Sequence, residues 1–182
     1  MPPYFVFLLS LYVFYTAHAS PMLRICYNTD MDKKELYYTL SAQARALLQP
    51  GFGWLSNAAN LSALIFGALP GLNWAGFYLR DGSVLRLGPF QGKPACTEIA
   101  LGKGVCGTAA AEKKTLVVPD VHQFAGHIAC DRASNSEIVI PLVVNGQVWG
   151  VLDIDSPLLN RFDESDRAGL EELARIFIAQ SF

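Results

Sequence analysis

Ile138-Val139-Ile140-Pro141-Leu142-Val143-Val144-Asn145-Gly146-Gln147-Val148-Trp149-Gly150-Val151-Leu152-Asp153-Ile154 is the stretch from which the fold is read. Two apolar, β-branched runs flank Asn-Gly, a dipeptide whose residues tolerate the positive φ that a two-residue hairpin turn requires. An antiparallel hairpin is therefore predicted over Ile138–Val144 and Gln147–Ile154. It runs into Asp153-Ile154-Asp155-Ser156, which places two carboxylates on one side of the strand end. The ordinary reading of such a pair is surface charge.

Downstream, Phe162-Asp163-Glu164-Ser165-Asp166 opens a helix with acidic residues in its first turn, and Leu170, Leu173, Ala174 and Phe177 form its apolar stripe. Upstream, Asn73–Leu79 alternates as a strand, Asp81-Gly82 reads as a tight turn, and Ser83–Leu87 returns. Trp74, Gly76 and Tyr78 share one face of the first strand, while Ala75, Phe77 and Leu79 share the other. Only one face can pack on helices. Trp74 and Tyr78 are thus either core aromatics or, through their polar handles, a ligand wall.

Two helices precede this hairpin. Asp32 caps a periodic run to Leu48 ended by Pro50-Gly51, and Leu55–Leu69 repeats the pattern up to Pro70-Gly71. Between the hairpins, Gly102-Lys103-Gly104-Val105-Cys106-Gly107 fits no phosphate-loop pattern and reads as a turn before a short Ala-rich helix, Thr108–Lys114. Thr115–Val118 is another short strand. The sum is an α+β fold: an antiparallel five- or six-stranded sheet with helices packed on one face and a long loop over the other.

The chain has 182 residues, is 52% hydrophobic and carries a formal net charge of -2 from 14 Lys+Arg and 16 Asp+Glu. Residues 31–182 are enough for one full core. No basic patch points to nucleic acid. Residues 1–30 stand apart. Tyr4–Ala17 is predominantly apolar but shorter than the ~20 residues of a spanning helix. Ala17-His18-Ala19 resembles a signal cleavage site, yet no Lys or Arg precedes Arg24. The extension reads as signal-like, as an anchor, or as sequence upstream of a true start at Met31.

The segment from Cys96 to Glu137 carries the chemistry. It holds Cys96, Cys106 and Cys130 together with Asp120, His122, His127 and Asp131, and Pro119–Ser136 has no helix or strand period. A connection of that length with apolar residues inside it reads as an ordered functional loop. Three readings of the thiols stay open. Zinc would need Cys96, Cys106, Cys130 and a His, but no pair has the spacing usual in structural sites. Burial as small apolar side chains suits Cys106. Redox catalysis suits a loop thiolate near His127 or His122, which would need a second thiol to resolve its sulfenic acid. Reducing a sulfoxide this way also needs an acid, and a carboxyl such as Glu137 or Asp155 in an apolar pocket can stay protonated to supply it.

Leu72-Asn73-Trp74-Ala75-Gly76-Phe77-Tyr78, Leu87-Gly88-Pro89-Phe90-Gln91-Gly92, Gly104-Val105-Cys106-Gly107-Thr108-Ala109, Asp120-Val121-His122, Gly126-His127-Ile128-Ala129-Cys130-Asp131, Ala133-Ser134-Asn135-Ser136-Glu137-Ile138 and Gly150-Val151-Leu152-Asp153-Ile154-Asp155-Ser156 together resemble the free methionine-R-sulfoxide reductases, which are GAF-domain enzymes. The resemblance covers about Met31 to Gln180. It implies a GAF-like fold and reduction of free L-methionine (R)-S-oxide through a sulfenic acid and an intramolecular disulfide, with no bound cofactor or metal. Cys130 would be the nucleophile, Cys96 the main resolving thiol and Cys106 an alternative. Glu137, Asp153 and Asp155 would bind the amino group and sulfoxide oxygen, and Trp74 and Tyr78 would wall the methyl-thioether end. Thioredoxin, with NADPH and thioredoxin reductase, would be the reductant, which implies a cytoplasmic setting. A homodimer is left open. The competing class is a GAF-type small-molecule or redox sensor.

Overall fold

The computed structural model describes residues 32–126 and 131–182. The N-terminal extension and residues 127–130, including His127 and Cys130, lie outside the described residues. From Asp32 onward the order is α1 (Lys33–Leu47), α2 (Gly53–Ala68), β1 (Trp74–Asp81), β2 (Val84–Gly92), β3 (Glu98–Ala100), α3 (Gly104–Glu112), β4 (Leu116–Val118), β5 (Ser136–Val144), β6 (Gln147–Ser156) and α4 (Glu164–Ser181). Six strands form one antiparallel sheet in the order β3-β2-β1-β6-β5-β4.

Local chemistry sets the element ends. Asp32 caps α1 by accepting from the Lys34 N–H. Asp163 caps α4 and Asp166 returns the bond to the cap, which satisfies donors that the first turn leaves open. Asn145 and Gly146 have φ of 50° and 77°, the mirror-image turn expected between β5 and β6.

One face of the sheet packs on α1, α2 and α4. Ala75, Phe77, Ile138, Ile140, Leu142, Leu152 and Ile154 meet Leu40, Leu61, Ile65, Leu170, Leu173 and Phe177 there. Each large apolar side chain so buried contributes about 1.5–3 kcal/mol. The opposite face carries a second cluster that includes Trp74, Tyr78, Leu85, Val139 and Val151, and it is covered by Val105, Cys106, Ala109 and Ala110 of α3. Three helices therefore share the expected face and α3 joins the loop on the other. Its small residues let it lie close: a Cβ on Gly107 would fall 2.2 Å from the Ala100 carbonyl oxygen.

The strands nearest the cavity differ from their sequence-based limits. β2 runs on to Gly92 instead of ending at Leu87, because a one-residue register shift opposite Gly76–Tyr78 accommodates Pro89, which has no N–H to donate. α3 begins at Gly104, four residues before Thr108, so Cys106 sits on a helical turn rather than in a loop. β3 has too few residues to show a period. The long connection after β4 contains a 3-10 turn over Val121–Gln123 and is pinned by Val121 N–H donating to the Asn135 carbonyl at 3.0 Å.

Candidate active site

Pairing across β5, β6 and β1 assembles the acidic cluster. Glu137 lies opposite Asp155, which lies opposite Trp74 on the other side, while Val139 and Gly76 flank Asp153. Because successive side chains alternate faces, Glu137, Asp153, Asp155, Trp74 and Tyr78 all project to the α3 side. They line a cavity with Ala95, Ile99, Gly104, Val105, Cys106, Asp131 and Ser134, whose free space is about 40 Å³. That holds a water or two.

Residues four apart in a strand are separated by about 13 Å, yet the rings of Trp74 and Tyr78 have centroids 5.8 Å apart. Gly76 between them makes this possible. Trp74 leans over it and stacks on Phe90 at 5.4 Å. A Cβ at Gly76 would come within 2.4 Å of Phe90 Cβ and 2.7 Å of the Trp74 ring. Gly76→Ala is accordingly expected to lower stability by about 1–3 kcal/mol, the cost of overpacking. Urea denaturation checks this, and a change under about 0.5 kcal/mol would show that the aromatic stack yields freely.

No Lys, Arg or His is found among the described residues that line the cavity. Glu137, Asp153 and Asp155 consequently lose water on burial without gaining a cation, and all three hold their protons more tightly than usual. Burial pushes Asp153 up to about 7. Burial, followed by the charges of Asp153 and Asp155, raises Glu137 well above the usual carboxylate range. Asp155 rises by burial and then by Asp153. The Cys106 thiol is raised by burial and next by Asp153 and Glu137. Cys106 Sγ lies 3.7 Å from Glu137 Oε1. Such a thiol stays neutral and is a poor nucleophile at neutral pH. Among the described residues, Asp153 Oδ1 and Trp74 Nε1 are buried with no hydrogen-bond partner. An unused acceptor and an unused donor in one cavity leave a polar ligand two bonds to make.

Cys96 is disulfide-bonded, and its partner lies outside the described residues. Cys106 is free and buried. The Tyr78 hydroxyl donates to the Cys96 carbonyl at 3.0 Å, which ties the segment bearing Cys96 to the cavity wall. Asn73 Nδ2 donates to Asp131 Oδ2 at 3.2 Å and to Ser134 Oγ at 2.9 Å. These bonds fasten the end of the long loop to the start of β1. The Ala133 N–H, then Asn73 and Lys93, hold the Asp131 carboxyl below its usual range.

Of the eight residues singled out from the sequence, Cys106, Trp74, Tyr78, Glu137, Asp153 and Asp155 line the cavity. Cys96 sits beside it, next to Ala95, and Cys130 lies outside the described residues. Trp74 and Tyr78 are both buried and both line the cavity. His122 faces outward on the 3-10 turn, with Nε2 2.9 Å from Asn135 Oδ1. The anchoring roles of Asn73 and Ser134 were not legible, since a polar residue at a strand start carries no signal of the loop that it will hold.

The GAF domain family matches this chain over residues 35–179. A free methionine-R-sulfoxide reductase of Escherichia coli K12 is 52% identical over 143 residues, 79% of this chain and 87% of that protein. One from Saccharomyces cerevisiae is 45% identical over 158 residues, 82% and 88% of the two chains. The crystal structure of the Neisseria meningitidis free methionine-R-sulfoxide reductase with its substrate superimposes with a TM-score of 0.78 at 44% identity, covering 82% of this chain and 90% of that one.

Proposed function

We propose a reaction for a chain that belongs to the GAF-domain free methionine-R-sulfoxide reductases: reduction of free L-methionine (R)-S-oxide to L-methionine. The chain is an oxidoreductase of that class. The observation that carries the reading furthest is the cavity in which Glu137, Asp153 and Asp155 meet beside Trp74 and Tyr78.

In our reading, the α-ammonium of the amino acid is the cation that this acidic lining lacks. Its charge makes ionisation of Asp153 and Asp155 favourable. Glu137, kept neutral by burial, is an acid for the sulfoxide oxygen, and Trp74 Nε1 is a second donor to it. The aromatic faces take the methyl-thioether end. Cys130 attacks the sulfoxide sulfur as a thiolate while Glu137 protonates the oxygen; the oxygen then passes to Cys130 Sγ as the S–O bond and the new S–S bond break, which releases methionine and leaves a sulfenic acid on Cys130. The Cys96 thiol then displaces it as water and closes a disulfide. Two electrons pass from two thiols to one sulfoxide.

Cys96 suits the resolving role better than Cys106, because it is already disulfide-bonded while the Cys106 thiol is buried among acids. A cavity of about 40 Å³ widens to admit the amino acid. A dithiol of the thioredoxin type, itself reduced by NADPH through thioredoxin reductase, returns both thiols. A reducing cytoplasm supplies it. Among the described residues, no helix is long and apolar enough to cross a membrane.

The test is NADPH consumption in a thioredoxin-coupled assay. Turnover is expected with free L-methionine (R)-S-oxide and at least about 100-fold less with the S epimer, whose oxygen would point away from the acids. Equal rates with both epimers, or tight binding without turnover, would reject the reading and favour a sensor.

A further inference from the structure

We infer that Cys106 Sγ, with one carboxylate oxygen each from Glu137 and Asp153, forms an inhibitory site for a divalent cation of the Zn²⁺ class. The ligand atoms of these three buried residues lie within 4.8 Å of one another. With Zn–S of about 2.3 Å and Zn–O of about 2.0–2.2 Å, a tetrahedral ion sets its sulfur and oxygen ligands roughly 3.5–3.7 Å apart. Cys106 Sγ and Glu137 Oε1 are 3.7 Å apart. The third ligand needs only a side-chain adjustment.

Two independent features point to an ion. Asp153 is 5% exposed, and its Oδ1 has no partner among the described residues, so a lone pair is unused inside the cavity. No cationic side chain is found among the described lining residues to neutralise the cluster. The free space of about 40 Å³ fits an ion and one water as fourth ligand. A thiolate beside two carboxylates favours Zn²⁺, Cd²⁺ or Co²⁺ over Mg²⁺ and Ca²⁺, which prefer oxygen alone. Binding displaces the protons that burial holds on these groups, so affinity rises with pH. The ion takes the place assigned to the substrate's charged and acidic contacts, and inhibition is competitive. Competition rests on the proposed reaction, whereas binding does not.

Titration of the full chain, reduced with a phosphine, uses Co²⁺ alone and follows the thiolate-to-cobalt charge-transfer absorption. One equivalent is expected. The triple variant Cys26→Ser, Cys96→Ser, Cys130→Ser, in which Cys106 is the remaining thiol, keeps the band. Cys106→Ser loses it, and Glu137→Gln and Asp153→Asn weaken binding at least about tenfold. Loss of the band in the triple variant, or its persistence in Cys106→Ser, would overturn the site. Zn²⁺ that binds as described but leaves the KM for sulfoxide unchanged would overturn the inhibition. Absence of turnover in the coupled assay would sink the reaction alone and leave the cobalt band in place.

Discussion

Cys130→Ser should abolish turnover of methionine (R)-S-oxide, with a loss on the order of 10⁴-fold or more, whereas Cys106→Ser should retain activity within about tenfold of the parent. A serine hydroxyl is not ionised at neutral pH and does not accept oxygen as a sulfenic acid, so no alternative route through residue 130 survives. Cys106 cannot replace it. Its thiol is held neutral by burial and by Asp153 and Glu137, and it is 3% exposed. Cys96→Ser should allow one turnover per chain and then stop, with the sulfenic acid of Cys130 trapped by dimedone. Mass spectrometry after one addition of substrate to the parent should give a Cys96–Cys130 linkage. Multiple turnovers by Cys130→Ser, or a Cys106 linkage as the main product, would remove Cys130 and Cys96 from their assigned roles.

Asp153→Asn should make the domain more stable above pH 7 even though it weakens the site. Burial raises the Asp153 carboxyl from 3.8 to about 7, so the folded chain binds this proton more tightly than the unfolded chain. Stability from this group is complete below about pH 4 and is lost as pH rises to about 7, at about 1.4 kcal/mol for each pH unit crossed. The total is a few kcal/mol. Glu137 and Asp155, raised by the same burial, lose stability in the same direction as pH rises, whereas Asp163, lowered to about 2 first by its bond from Lys33, contributes stability that is lost only toward strong acid. An amide at residue 153 keeps the shape without the buried charge. Thermal melts at pH 5 and pH 8 should show the parent losing several degrees and the variant much less, at roughly 2–4 °C per kcal/mol for a domain of this size. An equal loss in both proteins would show that Asp153 does not ionise across that interval. If the prediction holds, the parent carries an unstable acidic cluster that only its ligand neutralises, a trade of stability for function.

Much of this architecture is written locally. The Asn145-Gly146 turn, the Asp32 and Asp163 caps and the Pro70-Gly71 stop depend on neighbours a few residues away, and the paired hydrophobic runs of β5 and β6 require no distant partner to declare themselves. The resemblance carried the acidic residues, the aromatics and the thiols as one set, which periodicity alone would have left as surface charge, core rings and scattered cysteines. Only tertiary structure decided where they stand. The register of β5, β6 and β1 turns Glu137, Asp155 and Trp74 into neighbours in one row, and α3 closes the face above them. The start of α3 at Gly104, the bulge at Pro89 and the bonds from Asn73 to Asp131 and Ser134 depend on contacts between segments remote in sequence. A carboxylate's proton affinity follows from the same cause. Asp153 reads identically in any strand, and it becomes a reluctant acid because folding removes water and supplies no cation in return.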